Sequence, residues 1–124
     1  MRLLLDTHIL LWALANDRRL SAGVRTVIED SAQAYVSVAS VWEIAIKRAS
    51  GKLDAPADLG RVITYSGFDP LPIGVDHALS AGSLPPHHAD PFDRMLVAQA
   101  QHEGLTLVTA DRQIAKYDVR VLVA

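Results

Sequence analysis

Three short apolar runs constrain this chain most. Residues 3–5 (LLL), 34–38 (AYVSV) and 105–109 (LTLVT) are each followed, after at most two residues, by a segment that reads as helix. Apolar runs this short, rich in β-formers, suit strands buried on both faces. Strands that alternate with helices imply an α/β domain with a mostly parallel sheet. The elements read in order are a strand at 2–5, a helix at 7–16, a helix capped by Ser21 and running through Glu29, and a strand at 34–38. A helix over 41–50 stops at Gly51, and another covers 57–66. The prolines in the 70–73 segment allow at best a short edge strand. Helices at 75–82 and 91–103 follow, the second closed by Gly104, then a strand at 105–109, a short helix at 111–116 and a last strand at 119–123. At 124 residues, with no repeats or linkers, residues 1–124 are expected to form one domain.

In open parallel sheets, ligands bind outside the carboxyl ends of the strands. Four acids are expected at that edge. Asp6 ends the first strand, Glu43 and Asp93 fall in the first turns of the helices at 41–50 and 91–103, and Asp111 lies two residues past LTLVT. Each has a plain structural explanation. Ser40 and Glu43 have the spacing of a capping box. Asp90, Pro91 and Asp93 occupy N-cap, N1 and N3 positions. Asp111 and Asp6 can cap the helices that follow them. Asp6 fits that explanation least well, because an unpaired carboxylate at the end of a buried strand is costly. Several carboxylates at one sheet edge repel each other and call for a cation or protons. Oxygen-only donors of this kind suit Mg²⁺ or Mn²⁺.

Composition narrows the chemistry. No cysteine is present, which removes disulfides, thiolate metal sites and a Cys nucleophile, and fits a reducing cytoplasm. No apolar run reaches the length of a membrane span, and the N-terminal stretch, interrupted by Asp6 and His8, does not read as a signal peptide. The formal charge is −2, from 12 Lys/Arg and 14 Asp/Glu. Withdrawing four acids as metal ligands turns that balance positive, so a polyanionic substrate is permitted without being demanded.

Three segments carry a resemblance: LLLDTHILLWAL at 3–14, SVASVWEIAIKRASGKL at 37–53 and HADPFDRMLVAQAQHEGLTLVTADRQIAKY at 88–117. In content and order the chain resembles the PIN-domain family, and within it the VapC-type toxins of bacterial toxin–antitoxin pairs. The resemblance implies a three-layer α/β/α fold. It implies a metal-dependent endoribonuclease, with Mg²⁺ or Mn²⁺ lowering the pKa of water and neutralising charge on the phosphate. Carried over position by position, Asp6, Glu43, Asp93 and Asp111 are the family's acids. Asp6 and Asp93 are expected as direct ligands. Glu43 either ligates or holds the attacking water, and Asp111 acts through a second metal or a water. Asp90 is read as the N-cap, and Thr7 and Thr109 as flanking hydroxyls that bond the carboxylates. Arg94 and Arg112, each beside a site acid, are expected to contact phosphate. The resemblance also implies an RNA substrate, a homodimer, neutralisation by a cognate VapB-type antitoxin, DNA contact only through that antitoxin, and no membrane.

Other readings compete. His87, His88 and Asp90 suggest zinc, but no second ligand group stands at a suitable spacing. Lys47, Arg48 and Lys52 read as a solvated helix face, His102 as a surface residue, and Trp12 and Trp42 as core or interface residues. The wide apolar faces of the helices at 7–16 (Ile9, Leu10, Leu11, Trp12) and 41–50 (Trp42, Ile44, Ile46) are expected to supply an interface. A signalling receiver domain needs an acidic pair after the first strand and a Lys after a late strand. Here Asp6 stands alone and Lys116 follows a helix. A PIN-like module that only binds, without catalysis, is the remaining alternative.

Overall fold

Leu3, Leu4 and Leu5 are completely buried and form the centre of a sheet. Full burial of such side chains contributes roughly 2 kcal/mol each. The computed structural model describes all 124 residues. Its strands are β1 (Arg2–Leu5), β2 (Gln33–Ser37), β3 (Asp69–Leu71), β4 (Thr106–Thr109) and β5 (Val121–Val123). They form one sheet in the order β3-β2-β1-β4-β5, and every pairing is parallel. Leu4 lies opposite Tyr35 on one side and Leu107 on the other.

The alternation of side chains along β1 divides the core. Leu4 and Leu107 pack on Leu96, Val97 and Ala100 of α6 (Pro91–Glu103), with Leu84 after α5 (Val75–Ser83) and Tyr117 closing that layer. Leu3, Leu5 and Val108 pack on Ile9 of α1 (Thr7–Ala15) and on Val24 and Ile28 of α2 (Ala22–Asp30). Leu10, Val36 and Ile44 join α1 to α3 (Val38–Ala49) and to Leu59 and Ile63 of α4 (Leu59–Tyr65). The three-layer α/β/α arrangement follows from these contacts. No helix is long and apolar enough to cross a membrane.

Several helix ends stand where local chemistry puts them. Ser21 Oγ accepts from Val24 N. Asp90 Oδ1 accepts from the amides of Phe92 and Asp93, with Pro91 at the first helical position. Gly104 closes α6 at φ 65°, a left-handed conformation that glycine adopts without a Cβ penalty.

Three expectations are corrected. The helix expected from 41 begins at Val38, because Ser37, at the end of β2, takes the cap and accepts from Ala39 N. Ser40 and Glu43 therefore lie inside the helix, and their capping box does not form. The helix expected at 111–116 is only a 3₁₀ turn, Ile114–Lys116, since Asp111 Oδ1 binds Gln113 N in a tight turn and too few residues remain before Tyr117. The apolar face of α1 is mostly used within the domain. Ile9 and Leu10 are fully buried and Leu11, Trp12 and Leu14 partly so. On α3, Ile44 is buried, and the exposed apolar residues are Val38, Trp42 and Ile46, spaced four apart along one stripe. Trp42 packs edge-on against Phe92 at 5.4 Å.

Candidate metal centre

β1 and β4 lie side by side where the strand order reverses, so a crevice opens at their carboxyl ends. Asp6 stands there. Its amide continues the ladder to Val108 O at 3.0 Å, while its side chain turns into the cap of α1 and accepts from Ile9 N at 2.9 Å. The hydroxyl of Thr109, the last residue of β4, donates to the other carboxylate oxygen. Both donors are neutral, and Asp6 is only 4 % exposed. Burial outweighs them and raises its pKa above the ordinary 3.8.

Glu43 approaches from α3 and is also buried. Thr7 Oγ1 donates to its Oε1 at 2.6 Å and lies 3.1 Å from Ser40 Oγ. Lys47, one turn along α3, places Nζ 2.8 Å from Oε2. Asp93 enters from the first turn of α6. Burial, followed by the charge of Asp90, pushes its pKa up to about 7, and the charges of Asp6 and Glu43 act in the same direction. Asp6, Glu43 and Asp93 are thus within electrostatic reach of one another. Residues distant in sequence converge at one sheet edge.

Asp111 sits at the rim. Burial pulls its pKa upward, but the Gln113 amide and His88 together hold it below the ordinary value. Thr109 Oγ1 accepts from its amide at 3.0 Å, so one threonine braces both Asp6 and the loop that carries Asp111.

His88, which the sequence offered only as part of a zinc pair without further ligands, joins the acids. Its Nε2 lies 2.7 Å from Asp111 Oδ2 and 3.2 Å from Asp93 Oδ2. One ligand atom from each of these three residues falls within 4.8 Å of the others. Its Nδ1 accepts from Asp90 N at 3.1 Å, which puts the proton of the neutral ring on Nε2, facing the carboxylates. His88 therefore acts here as a donor between two acids. His87 instead packs on Tyr117, so the histidine pair does not work as a unit. The sequence signal for His88 was its place two residues before the N-cap of α6. For Lys47 it was the i, i+4 spacing from Glu43.

Arg94 does not occupy the position expected of a phosphate contact. Its guanidinium donates to the carbonyls of Ala81, Leu84, Pro85 and His88 and to the Tyr117 hydroxyl. That pins the loop carrying His88 against α6. Arg112 is exposed beside Asp111.

The donor set fits a hard divalent cation. Its groups are carboxylate oxygens with one imidazole nitrogen, that of His88, among them. Asp6 and Asp93 carry pKa values raised first by burial and then by neighbouring carboxylates, and a 2+ charge relieves both.

The model of the PIN domain family matches residues 3–120. The chain belongs to the PIN-domain family. Ribonuclease VapC22 of Mycobacterium tuberculosis is 31% identical over 121 residues, covering 92% of this chain and 90% of that protein. Among solved structures, this PIN domain is similar to DNA-bound VapBC from Salmonella typhimurium, with a TM-score of 0.73, 19% identity and 99% and 98% of the two chains covered. It is also similar to FitAcB from Neisseria gonorrhoeae, with a TM-score of 0.69, 22% identity and 97% and 96% covered. At these identities the likeness to the solved structures is one of PIN fold.

Proposed function

We propose that this PIN domain is a VapC-type endoribonuclease toxin that hydrolyses RNA with Mg²⁺ or Mn²⁺. The observation that carries the reading is the convergence of Asp6, Glu43 and Asp93, with Asp111 at the rim, on one crevice of the sheet. The likeness to a named ribonuclease over nearly the whole chain supports it. Asp6 and Asp93 would hold the ion, which supplies Lewis acidity toward phosphate and a lowered pKa for water. Thr109 and the Ile9 amide orient Asp6. Thr7 and Lys47 fix both oxygens of Glu43, which either ligates or aligns water. Asp111 stays anionic beside the crevice and acts through water or a second ion. Arg112, exposed next to it, is the residue placed to meet an RNA phosphate. Asp90 works as the helix cap.

A cognate VapB-type antitoxin belongs to the same reading, because the fold is shared with chains of toxin–antitoxin complexes. Any DNA contact would come through that partner. A homodimer, and a cytoplasmic setting, complete the proposal. The exposed Val38–Trp42–Ile46 stripe of α3 is the surface offered for assembly.

The test is cleavage of RNA by pure protein in Mn²⁺ and in EDTA, with Asp6→Asn as control. Cleavage in Mn²⁺ that stops with EDTA and is lost in Asp6→Asn is expected. Full cleavage in EDTA, or by Asp6→Asn, would overturn the metal reading. RNA-end sequencing after brief expression would then identify the target.

A further inference from the structure

Lys47 is the one basic side chain ion-paired to Glu43. Glu43 is nearly inaccessible. Its Oε1 is taken by the Thr7 hydroxyl and its Oε2 by the Lys47 ammonium at 2.8 Å. The lysine stem leaves its own side chain 41% exposed, so the head reaches the buried carboxylate from the rim of the pocket. The charges of Asp90 and Asp93 also act on that ammonium, which places it on the Glu43 side of the acid cluster. On the other side, His88 lies between Asp93 and Asp111. The Glu43 side thus holds a fixed cation, whereas Asp6 is bonded only by neutral donors.

We propose that the Lys47 ammonium is a resident cation of this site, filling the position beside Glu43 that a second divalent ion would take, so that the pocket binds one divalent ion through Asp6 and Asp93 and, of the two readings for Asp111, the one through water holds. The inference rests on reading the acid cluster as a metal centre. An ion coordinating Glu43 Oε2 would have to displace the ammonium, since two cations sharing one carboxylate oxygen repel each other at close range. Lys47 then acts as a positioning residue: it neutralises Glu43, holds it against Thr7 and leaves the ion-binding demand to Asp6 and Asp93. A lysine that anchors RNA phosphate would show the opposite behaviour, with no effect on the ion count in the free protein.

The experiment is Mn²⁺ titration of the RNA-free protein, by calorimetry for stoichiometry and by electron paramagnetic resonance for coupling between neighbouring ions. The expected result is one ion in the wild type, one in Lys47→Arg, and two, magnetically coupled, in Lys47→Met. Adding Glu43→Gln to Lys47→Met should return the count to one, because the second ion sits on Glu43. Lys47→Gln serves as the neutral variant if Lys47→Met does not fold. Two ions in the wild type, or one in both neutral variants, would overturn the inference while leaving the metal centre intact. No ion in any of the proteins would remove the metal reading and this inference with it.

Discussion

Thr7 Oγ1 donates to Glu43 Oε1 at 2.6 Å, joining the first residue of α1 to the middle of α3. The bond fixes a buried carboxylate in the crevice at the end of β1 and explains why a hydroxyl must follow Asp6. Thr7→Val keeps the shape and removes the donor, leaving a buried charge short of one partner. It should cost about 1–3 kcal/mol of stability in urea denaturation. Cleavage should slow about tenfold, equivalent to about 1.4 kcal/mol. Thr7→Ser should restore both. A fully active Thr7→Val would show that Glu43 needs no positioning.

The acids should trade stability against activity. Asp6→Asn and Asp93→Asn are expected to abolish cleavage yet melt no lower, and even higher, than the wild type without metal, because each removes a charge from a repelling cluster. Asp90→Asn should keep most activity, since an Asn oxygen can still accept from the Phe92 and Asp93 amides. An inactive Asp90→Asn beside an active Asp93→Asn would move the site by one helical turn.

The raised pKa of Asp93, about 7, and the raised pKa of Asp6 set the sign of the pH dependence. Between the ordinary 3.8 and about 7 the folded Asp93 holds a proton that the unfolded chain has released. Stability of the metal-free protein should therefore fall as pH rises through this window and level off above it. Mn²⁺ competes with that proton, so its apparent affinity should climb over the same window. Thermal melts and Mn²⁺ titrations across pH 4–9 check both trends. Stability that rises with pH throughout would contradict the assigned burial of Asp93.

The two arginines should separate. Arg94→Ala removes the guanidinium that holds the end of α5 and the loop after it, and should cost at least ~2 kcal/mol. Arg112→Ala should leave stability within about 0.5 kcal/mol, as exposed substitutions do, and weaken RNA binding. Urea denaturation with RNA-binding titrations distinguishes them. An Arg94→Ala protein of unchanged stability and weakened RNA binding would return Arg94 to the phosphate.

Trp42→Glu should reduce assembly. It places a charge in the middle of the exposed Val38–Trp42–Ile46 stripe without touching Glu43 or the core. Light scattering of the free protein, with antitoxin titrated in, should show a loss of self-association or of binding. Unchanged behaviour in both would exclude this face.

Local chemistry alone determines much of this protein. A run of three leucines between polar residues reads as a short buried strand, which puts Asp6 at its carboxyl end; its central place in the sheet comes from the tertiary pairing with β2 and β4. Ser21, the Asp90-Pro91 pair and Gly104 set helix ends through bonds and torsions within four residues of themselves. The parallel order of strands and helices follows from the same short-range patterns. Glu43 and His88 show where that reach stops. Ser37 and Ser40 are both adequate caps, and nothing within a few residues chooses between them. The choice falls to Ser37 because β2 ends there, and it turns Glu43 from a cap partner into an acid facing Thr7 of another helix. His88 lies in a Pro-rich loop with no local reason to meet Asp111, 23 residues away. Arg94 and Tyr117 fold that loop back over α6 and bring the two together. Arg94 itself sits beside a site acid in sequence but spends its donors on carbonyls that only the folded loop presents. Caps and strands are decided by bonds their own neighbours supply. The electrostatic site is decided by which charges the finished sheet edge forces together.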